Sequence, residues 1–435
     1  MMLDAILRDF GLQINEDPSC LDNPLDQIGD GIANDCFGVY SENEPLAKDD
    51  VLTNRDMIFI KECILGKPLK PCSTFIGRKS EHRKEFLYDI VSNRHNGLDV
   101  DKIDYFARDK HFAQGDCIIK RLSVLIHEAF VARVHCPYKE KCCLGESNMH
   151  LMICYPKKLA TNVMDFFNTR FIMHQEVYTH KAHKGAEMLI RDILLKADPY
   201  FEIVEGFNIS RAINNPDAFR YLKDSVIDLI EFSSNKLLED AHALIRRLRN
   251  RDLYKQICLK PLNVEQENIL VDSSEESMKA RMLEVASDYK AVVPFDLDFF
   301  LQEELIIELR TIHHGMKDKN PTNYCRFLSK PKPLMLKHID ELPVAEQLDE
   351  SEYPSHLPRK FQEISLMAFS RCSEKDTQRA AKHEFCRHLI EQWLEVMQNH
   401  SPTTKPASVA APMPCSQNSE DESYTFAYRS FLDDY

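Results

Sequence analysis

Two triplets of polar side chains, each spaced four residues apart, could do chemistry. Asp101, Tyr105 and Asp109 lie in NGLDVDKIDYFARD, and Arg170, His174 and Tyr178 lie in NVMDFFNTRFIMHQEVYTHK. In an α-helix that spacing puts each triplet on one face. A guanidinium, an imidazole and a phenol on one face suit phosphate and base recognition: Arg takes paired phosphate oxygens, while Tyr and His stack or hydrogen-bond. Most polar stripes of this kind are simply solvated helix faces. Around Arg170, however, Phe166, Phe167, Phe171, Ile172, Met173 and Val177 leave little polar surface, so the stripe must face something polar. Asp101 taken alone reads as a helix N-cap or first-turn carboxylate, with Lys102 and Arg108 as charge partners. A third cluster is Arg246, Arg247, Arg249, Arg251 and Lys255. It either complements the dipole at a helix C-terminus or forms an anion site.

The elements that must hold these residues are mostly helices. Helical periodicity appears in DMIFIKECILG and runs strongly from Glu85 to Tyr200, with a stretch of mixed character at 112–154. Ala186, Leu189, Ile190, Ile193, Leu194 and Ala197 make an apolar stripe of helical period. NNPDAFRYLKDSVIDLIEF opens with an N-cap signal, and NKLLEDAHALIRRLRNRDLYK is amphipathic with a basic end. Residues 290–337 read as α+β, from the β-formers of VVPFDLDFF and the strand-like NYCRFLSKPKPLMLK. KFQEISLMAFSRC and QRAAKHEFCRHLIEQWLEVM read as helices again, and residues 1–15 as a short amphipathic helix. The boundaries expected are a helix and loop-rich segment at 1–84, a helical domain at 85–260, an α+β and helical lobe at 261–398, and a disordered Pro/Ser-rich and acidic tail at 399–435.

Composition narrows the function classes. Of 435 residues 43% are hydrophobic and 29% charged, enough for a packed core. A net charge of -14 disfavours non-specific nucleic-acid binding by the whole surface but permits a local basic patch. The N-terminus lacks the pattern of a signal peptide, and no apolar run reaches membrane-spanning length. The 14 cysteines include His135-Cys136, Cys142-Cys143 and Cys154, without paired Cys-x-x-Cys spacing. They read as reduced thiols of an intracellular protein rather than a zinc site.

EFLYDIVSNRHNGLDVDKIDYFARD resembles the segment carrying the last metal-binding aspartate in the SAM-and-HD-domain deoxynucleoside triphosphate triphosphohydrolases. NVMDFFNTRFIMHQEVYTHK, LLKADPY, RDLYK and GMKDKNP follow in that family's order, and the likeness runs from about Asp56 to Trp393. It implies a mainly α fold: a helical HD-type core lacking its N-terminal helices, plus a small α+β C-terminal region. It implies cleavage of a dNTP to deoxynucleoside and triphosphate. The divalent metal would be zinc, iron or manganese, with magnesium on the nucleotide. On this likeness Asp101 is a metal ligand. Lys102 and Arg170 hold phosphates, Tyr105 and Asp109 the sugar, and His174 and Tyr178 line the nucleotide pocket. Thr179 stands where the family has Gln.

The resemblance further implies dGTP-dependent allosteric sites at subunit contacts, at Arg251, Leu253 and Lys255 and at Arg121, Lys158, Asn162, His180 and Lys181. Pro156 and Leu125 replace a family Arg and Phe there. The partners implied are dNTPs and a homo- or hetero-oligomer with a full-length family member, in the nucleus. The 435 residues contain no His-Asp dipeptide. The His and His-Asp ligands, and the SAM domain, are expected to fall upstream of Met1. One metal ligand of a full set does not poise a water for attack. The chain alone is therefore expected to be inactive, whether as a truncated enzyme, a nucleotide-binding regulatory subunit or an interaction scaffold.

Overall fold

Apolar positions at helical spacing bury one face of each long helix, and these faces close the core. The computed structural model describes residues 12–14, 39–41, 54–66, 85–114, 119–135, 149–290, 292–329, 342–353, 357–373 and 375–399. The fold is mainly α, with small sheets. In chain order the main elements are α1 (Asn54–Leu65), α2 (Val100–Gln114) and α3 (Ile119–Glu128), then the hairpin β1 (Phe130–His135) and β2 (Met149–Pro156). Next come α4 (Ala160–Met173), α5 (Lys181–Ala197), α6 (Val226–Phe232) and α7 (Glu239–Arg249). The remainder is β3 (Lys255–Pro261), α8 (Glu275–Ala286), β4 (Leu305–His313), β5 (Gln362–Ser370) and α9 (Arg379–Asn399). Among the described residues no helix is long and apolar enough to cross a membrane.

Two features position the candidate site. The first is an aromatic core joining α2 to α4. Phe106 is fully buried against Phe166, their ring centroids 5.3 Å apart, and Phe166 meets Phe167 edge-on at 5.2 Å. Burying one such ring stabilises the fold by about 2–3 kcal/mol. With Phe106 committed to the core, its neighbour Tyr105 and, one turn on, Asp109 turn toward the end of α4. The second feature is the antiparallel sheet with strand order β3, β5, β4. Its central strand, β5, is buried on both faces. Ile364, Leu366 and Ala368 pack into the core with Trp393 of α9, while Met367 and Phe369 pack into the core with Met188, Leu189 and Ile245 of α5 and α7.

This sheet overturns one expectation. KFQEISLMAFSRC, read as a helix, forms the central strand β5. A strand covered on both faces shows a continuous apolar run, which periodicity alone does not separate from a buried helix. The converse holds in VVPFDLDFF, where Asp296 caps a helical turn at Leu297–Phe299 that runs into a π-turn at Phe300–Glu304. Leu12–Ile14, read as part of a helix, pair as a strand with Val39–Ser41. RDLYK does not continue α7: the chain leaves the helix after Arg249 and enters β3 at Lys255. Cys136, Cys142 and Cys143, and the Pro/Ser-rich and acidic tail, lie outside the described residues.

Candidate functional site

The Asn-Gly turn before α2 forms as its residue types demand, with Gly97 at φ +74. Asp99, buried, then caps the helix. Its Oδ1 accepts the Lys102 N–H at 3.0 Å, and its Oδ2 accepts the Asn93 N–H at 3.1 Å. The Lys102 ammonium also donates to Asp99, at 2.9 Å. The cap is thus Asp99 and not Asp101, and the two charge partners expected for Asp101 pair elsewhere, Lys102 with Asp99 and Arg108 with Asp104 and Asp109; an Asp just ahead of a helix is the ordinary capping signal. Asp101 sits in the first turn with its side chain exposed.

The lower half of this stripe meets the second stripe. The Tyr178 hydroxyl donates to Asp109 Oδ2 at 2.7 Å, and the Tyr105 and Tyr178 rings stand 6.2 Å apart, edge to face. His174 lies edge-on to Tyr178 at 5.1 Å. Burial first, then the hydrogen bond to Asp109, push the Tyr178 phenol well above its ordinary value. The i, i+4 spacing does not persist to the end of the row. After Met173 the helix widens into a π-turn at His174–Tyr178, closed by Thr179 N–H to His174 C=O at 2.9 Å. Such turns re-aim side chains relative to a regular helix.

At the head of that row, Arg170 is 4% exposed. Its Nη1 donates to the His313 carbonyl and lies 3.4 Å from His313 Nδ1. Burial, and then the Arg170 charge, push His174 and His313 each down to about 3. Both are neutral at physiological pH. His313 and His314 were missed as site residues, although they directly precede the GMKDKNP motif.

The cluster matched to subunit contacts is spread over several elements. Lys158 pairs with Glu128 at 2.8 Å, and Asn162 is half-buried at the start of α4. His180 caps α5 by accepting the Ala182 N–H at 3.3 Å, and Lys181 is exposed. Arg121 lies in α3, its side chain outside the described residues. Arg251 takes a left-handed φ of 59°, Leu253 packs on the core of α5 and α7, and Lys255 opens β3. Arg246, Arg247 and Arg249 are engaged by Glu239, Asp252 and Asp228 respectively. A cavity of about 720 Å³ bordered by Asp192, Arg247, Tyr254, Lys279 and Arg371 is similarly cross-linked by its own pairs, Arg371 to Asp192 at 2.6 Å among them.

The described residues do not build the metal centre that the resemblance implies. Among the described residues Asp101 belongs to no group of three His, Cys, Asp or Glu donors close enough to share an ion. One such group exists elsewhere, formed by Glu304, Cys372 and Asp376. Its cation is already present: Lys382 Nζ lies 2.7 Å from Glu304 and 2.9 Å from Asp376. Burial also pushes the Cys372 thiol up to about 11, so it stays protonated beside the ammonium at neutral pH.

No family model matches the chain. Among curated proteins, it is 30% identical over 344 residues to the bovine deoxynucleoside triphosphate triphosphohydrolase SAMHD1, covering 77% of this chain and 53% of that protein. It is 32% identical over 336 residues to the Mus musculus protein of the same name, covering 75% and 47%. A putative HD domain-containing protein of Acanthamoeba polyphaga mimivirus is 33% identical over 200 residues, covering 42% and 38%. The chain spans about half the length of the SAMHD1 proteins it matches, and by this similarity it belongs to the family of SAM-and-HD-domain deoxynucleoside triphosphate triphosphohydrolases.

Proposed function

We propose that the chain binds a deoxynucleoside triphosphate between α2 and the end of α4, and that these 435 residues alone do not hydrolyse it. The observation that carries this reading is the Tyr178 to Asp109 hydrogen bond at 2.7 Å, which joins two stripes far apart in sequence into one polar wall. In this reading Tyr105 and Asp109 meet the sugar, His174 and Tyr178 the base side, and Arg170 and Lys102 the phosphates. Lys102 would have to exchange its contact with Asp99 for a phosphate oxygen. Binding and orientation are within reach of these groups. Attack on the α-phosphorus is not, because Asp101 has no co-ligands among the described residues.

A second reading, a regulatory subunit that assembles with a complete family member in the nucleus, is favoured by the left-handed Arg251 and the Leu253 that follows it. There Arg251, Leu253 and Lys255, with Arg121, Lys158, Asn162, His180 and Lys181, would hold a second, allosteric dGTP.

The test is direct. Purified chain at millimolar dGTP is expected to melt higher, since a ligand at about 100 times its Kd adds about 2.7 kcal/mol. No change in melting temperature or oligomer size would end the nucleotide reading. Triphosphate release from dGTP, abolished by Asp101→Ala, would overturn the claim of inactivity.

A further inference from the structure

On the first turns of α9, Arg379 and His383 stand four residues apart and share a helix face, with Arg387 one turn further on. Two of their polar atoms, Arg379 Nη1 and His383 Nε2, are buried and have no hydrogen-bond partner. Among the described residues none of these three side chains forms an ion pair. That sets them apart from their surroundings. The adjacent Lys382 is held by Glu304 and Asp376, and Lys260 of β3 by Glu391. The arginines of the 720 Å³ cavity, Arg247 and Arg371, are held by Asp252 and Asp192.

The acids that act on this row are committed elsewhere. Asp376 accepts from Lys382 Nζ at 2.9 Å and from the Gln378 N–H at 2.8 Å. Glu391, whose charge Arg387 feels, accepts from Lys260 at 2.5 Å. Burial first, then the charges of Arg379 and Arg387, push His383 below its ordinary 6.5; Asp376 pulls the other way, and Lys382 adds to the lowering. The ring is therefore neutral at physiological pH, with a single N–H that Nε2 can carry.

A buried donor without a partner costs free energy, and a buried cation without a counter-charge costs more. Water would satisfy the hydrogen bonds and leave the charge, whereas an anion satisfies both. A guanidinium offers parallel N–H groups to two oxygens, and an imidazole N–H one turn away can meet a third. A tetrahedral oxyanion presents oxygens in that way. We propose that Arg379 and His383 form a phosphate-binding site on the first turns of α9, with Arg387 at its outer edge. The group it takes is a phosphate, either free or carried as a monoester. The site lies on a different helix from the nucleotide site proposed above and does not depend on it.

The experiment titrates inorganic phosphate into the full chain at constant ionic strength and follows the His383 ring by NMR, its signal assigned by its loss in His383→Gln. Phosphate is expected to shift that signal and to raise the titration midpoint of the ring by about 1, because an anion beside it favours the charged form. Arg379→Met should melt no lower than wild type in phosphate-free buffer, since an unpaired buried donor has been removed. It should nevertheless need about 10-fold more phosphate for the same shift of His383, the size of a hydrogen bond to a charged group. Arg246→Gln, which removes an exposed arginine already paired with Glu239, should leave the titration unchanged. Glycerol phosphate identifies the source: a shift as large as that from phosphate marks a monoester, and a shift from phosphate alone marks the free ion. A ring that answers phosphate no more than chloride would overturn the site. So would an Arg379→Met variant that titrates like wild type or unfolds earlier without phosphate, or an equal loss in Arg246→Gln, which would reduce the effect to general charge.

Discussion

At the junction of α4 and β4, Arg170 is held by a carbonyl oxygen and an imidazole, whereas at the start of α9 Lys382 is held by two carboxylates. Both cations are buried, at 4% and 8% exposure. The second cluster holds its ammonium within about 3 Å of both carboxylates, and a metal would have to displace that tethered ammonium. The first meets His313 through both its carbonyl and its ring. Ligand-capable residue types occur in both places, and the chemistry available depends on which charges the fold has already cancelled.

The comparison is sharpened most by removing Lys382. Lys382→Ala leaves Glu304 and Asp376 facing each other, with Cys372 between them. Breaking a buried ion pair from one side costs about 3 kcal/mol or more. Urea unfolding should show that loss, with dGTP binding unchanged. Weakened binding in this variant would show that the two regions are coupled.

Acid separates the same regions by pH window. His174 and His313 fall from 6.5 to about 3, and His95 to about 4. Below 6.5 the unfolded chain takes up protons that the folded chain refuses, so stability should fall as pH drops from 6.5 toward 4. Asp376, lowered first by its hydrogen bond to Lys382, stabilises the fold above its ordinary 3.8, and that contribution is lost only as pH falls through the lower folded value. Chemical unfolding at pH 7 and pH 5 should therefore differ, and His313→Asn should reduce the difference. A flat profile over that interval would break the assignment of buried neutral histidines.

Smaller effects follow at the polar wall. Tyr178→Phe removes the bond to Asp109 and is expected to cost about 1 kcal/mol in unfolding free energy, with weaker dGTP binding. An unchanged Kd would leave the contact structural only. Asp101→Ala, at an exposed first-turn position, should alter stability by less than about 0.5 kcal/mol. A larger destabilisation would mean that Asp101 has a partner that its exposure does not suggest.

Some of this was legible beforehand. The stripe on α5 buries Leu189, Ile193 and Ala197 as its spacing requires, and Asn215 caps the helix at Pro216–Phe219 through its side chain. The polar triplets could be found because types and intervals are printed in the chain. Their fate could not. Lys102 is taken by Asp99, and the α4 row bends through a π-turn. The partner of Arg170 arrives from 143 residues away on a strand. The central strand β5 escaped recognition for the same reason that it is stable, since both its faces are covered.

The sequence by itself determined most of the long helices, the two polar rows, the turn at Gly97 and the family. Each of these follows from local periodicity, a local backbone requirement or residue identity. Only the tertiary structure decided that Asp109 meets Tyr178, that His313 attends Arg170, and that Lys382 fills the one three-donor cluster among the described residues. Those outcomes depend on which distant segments share a core and on which charges are neutralised once water is excluded. No local pattern encodes either.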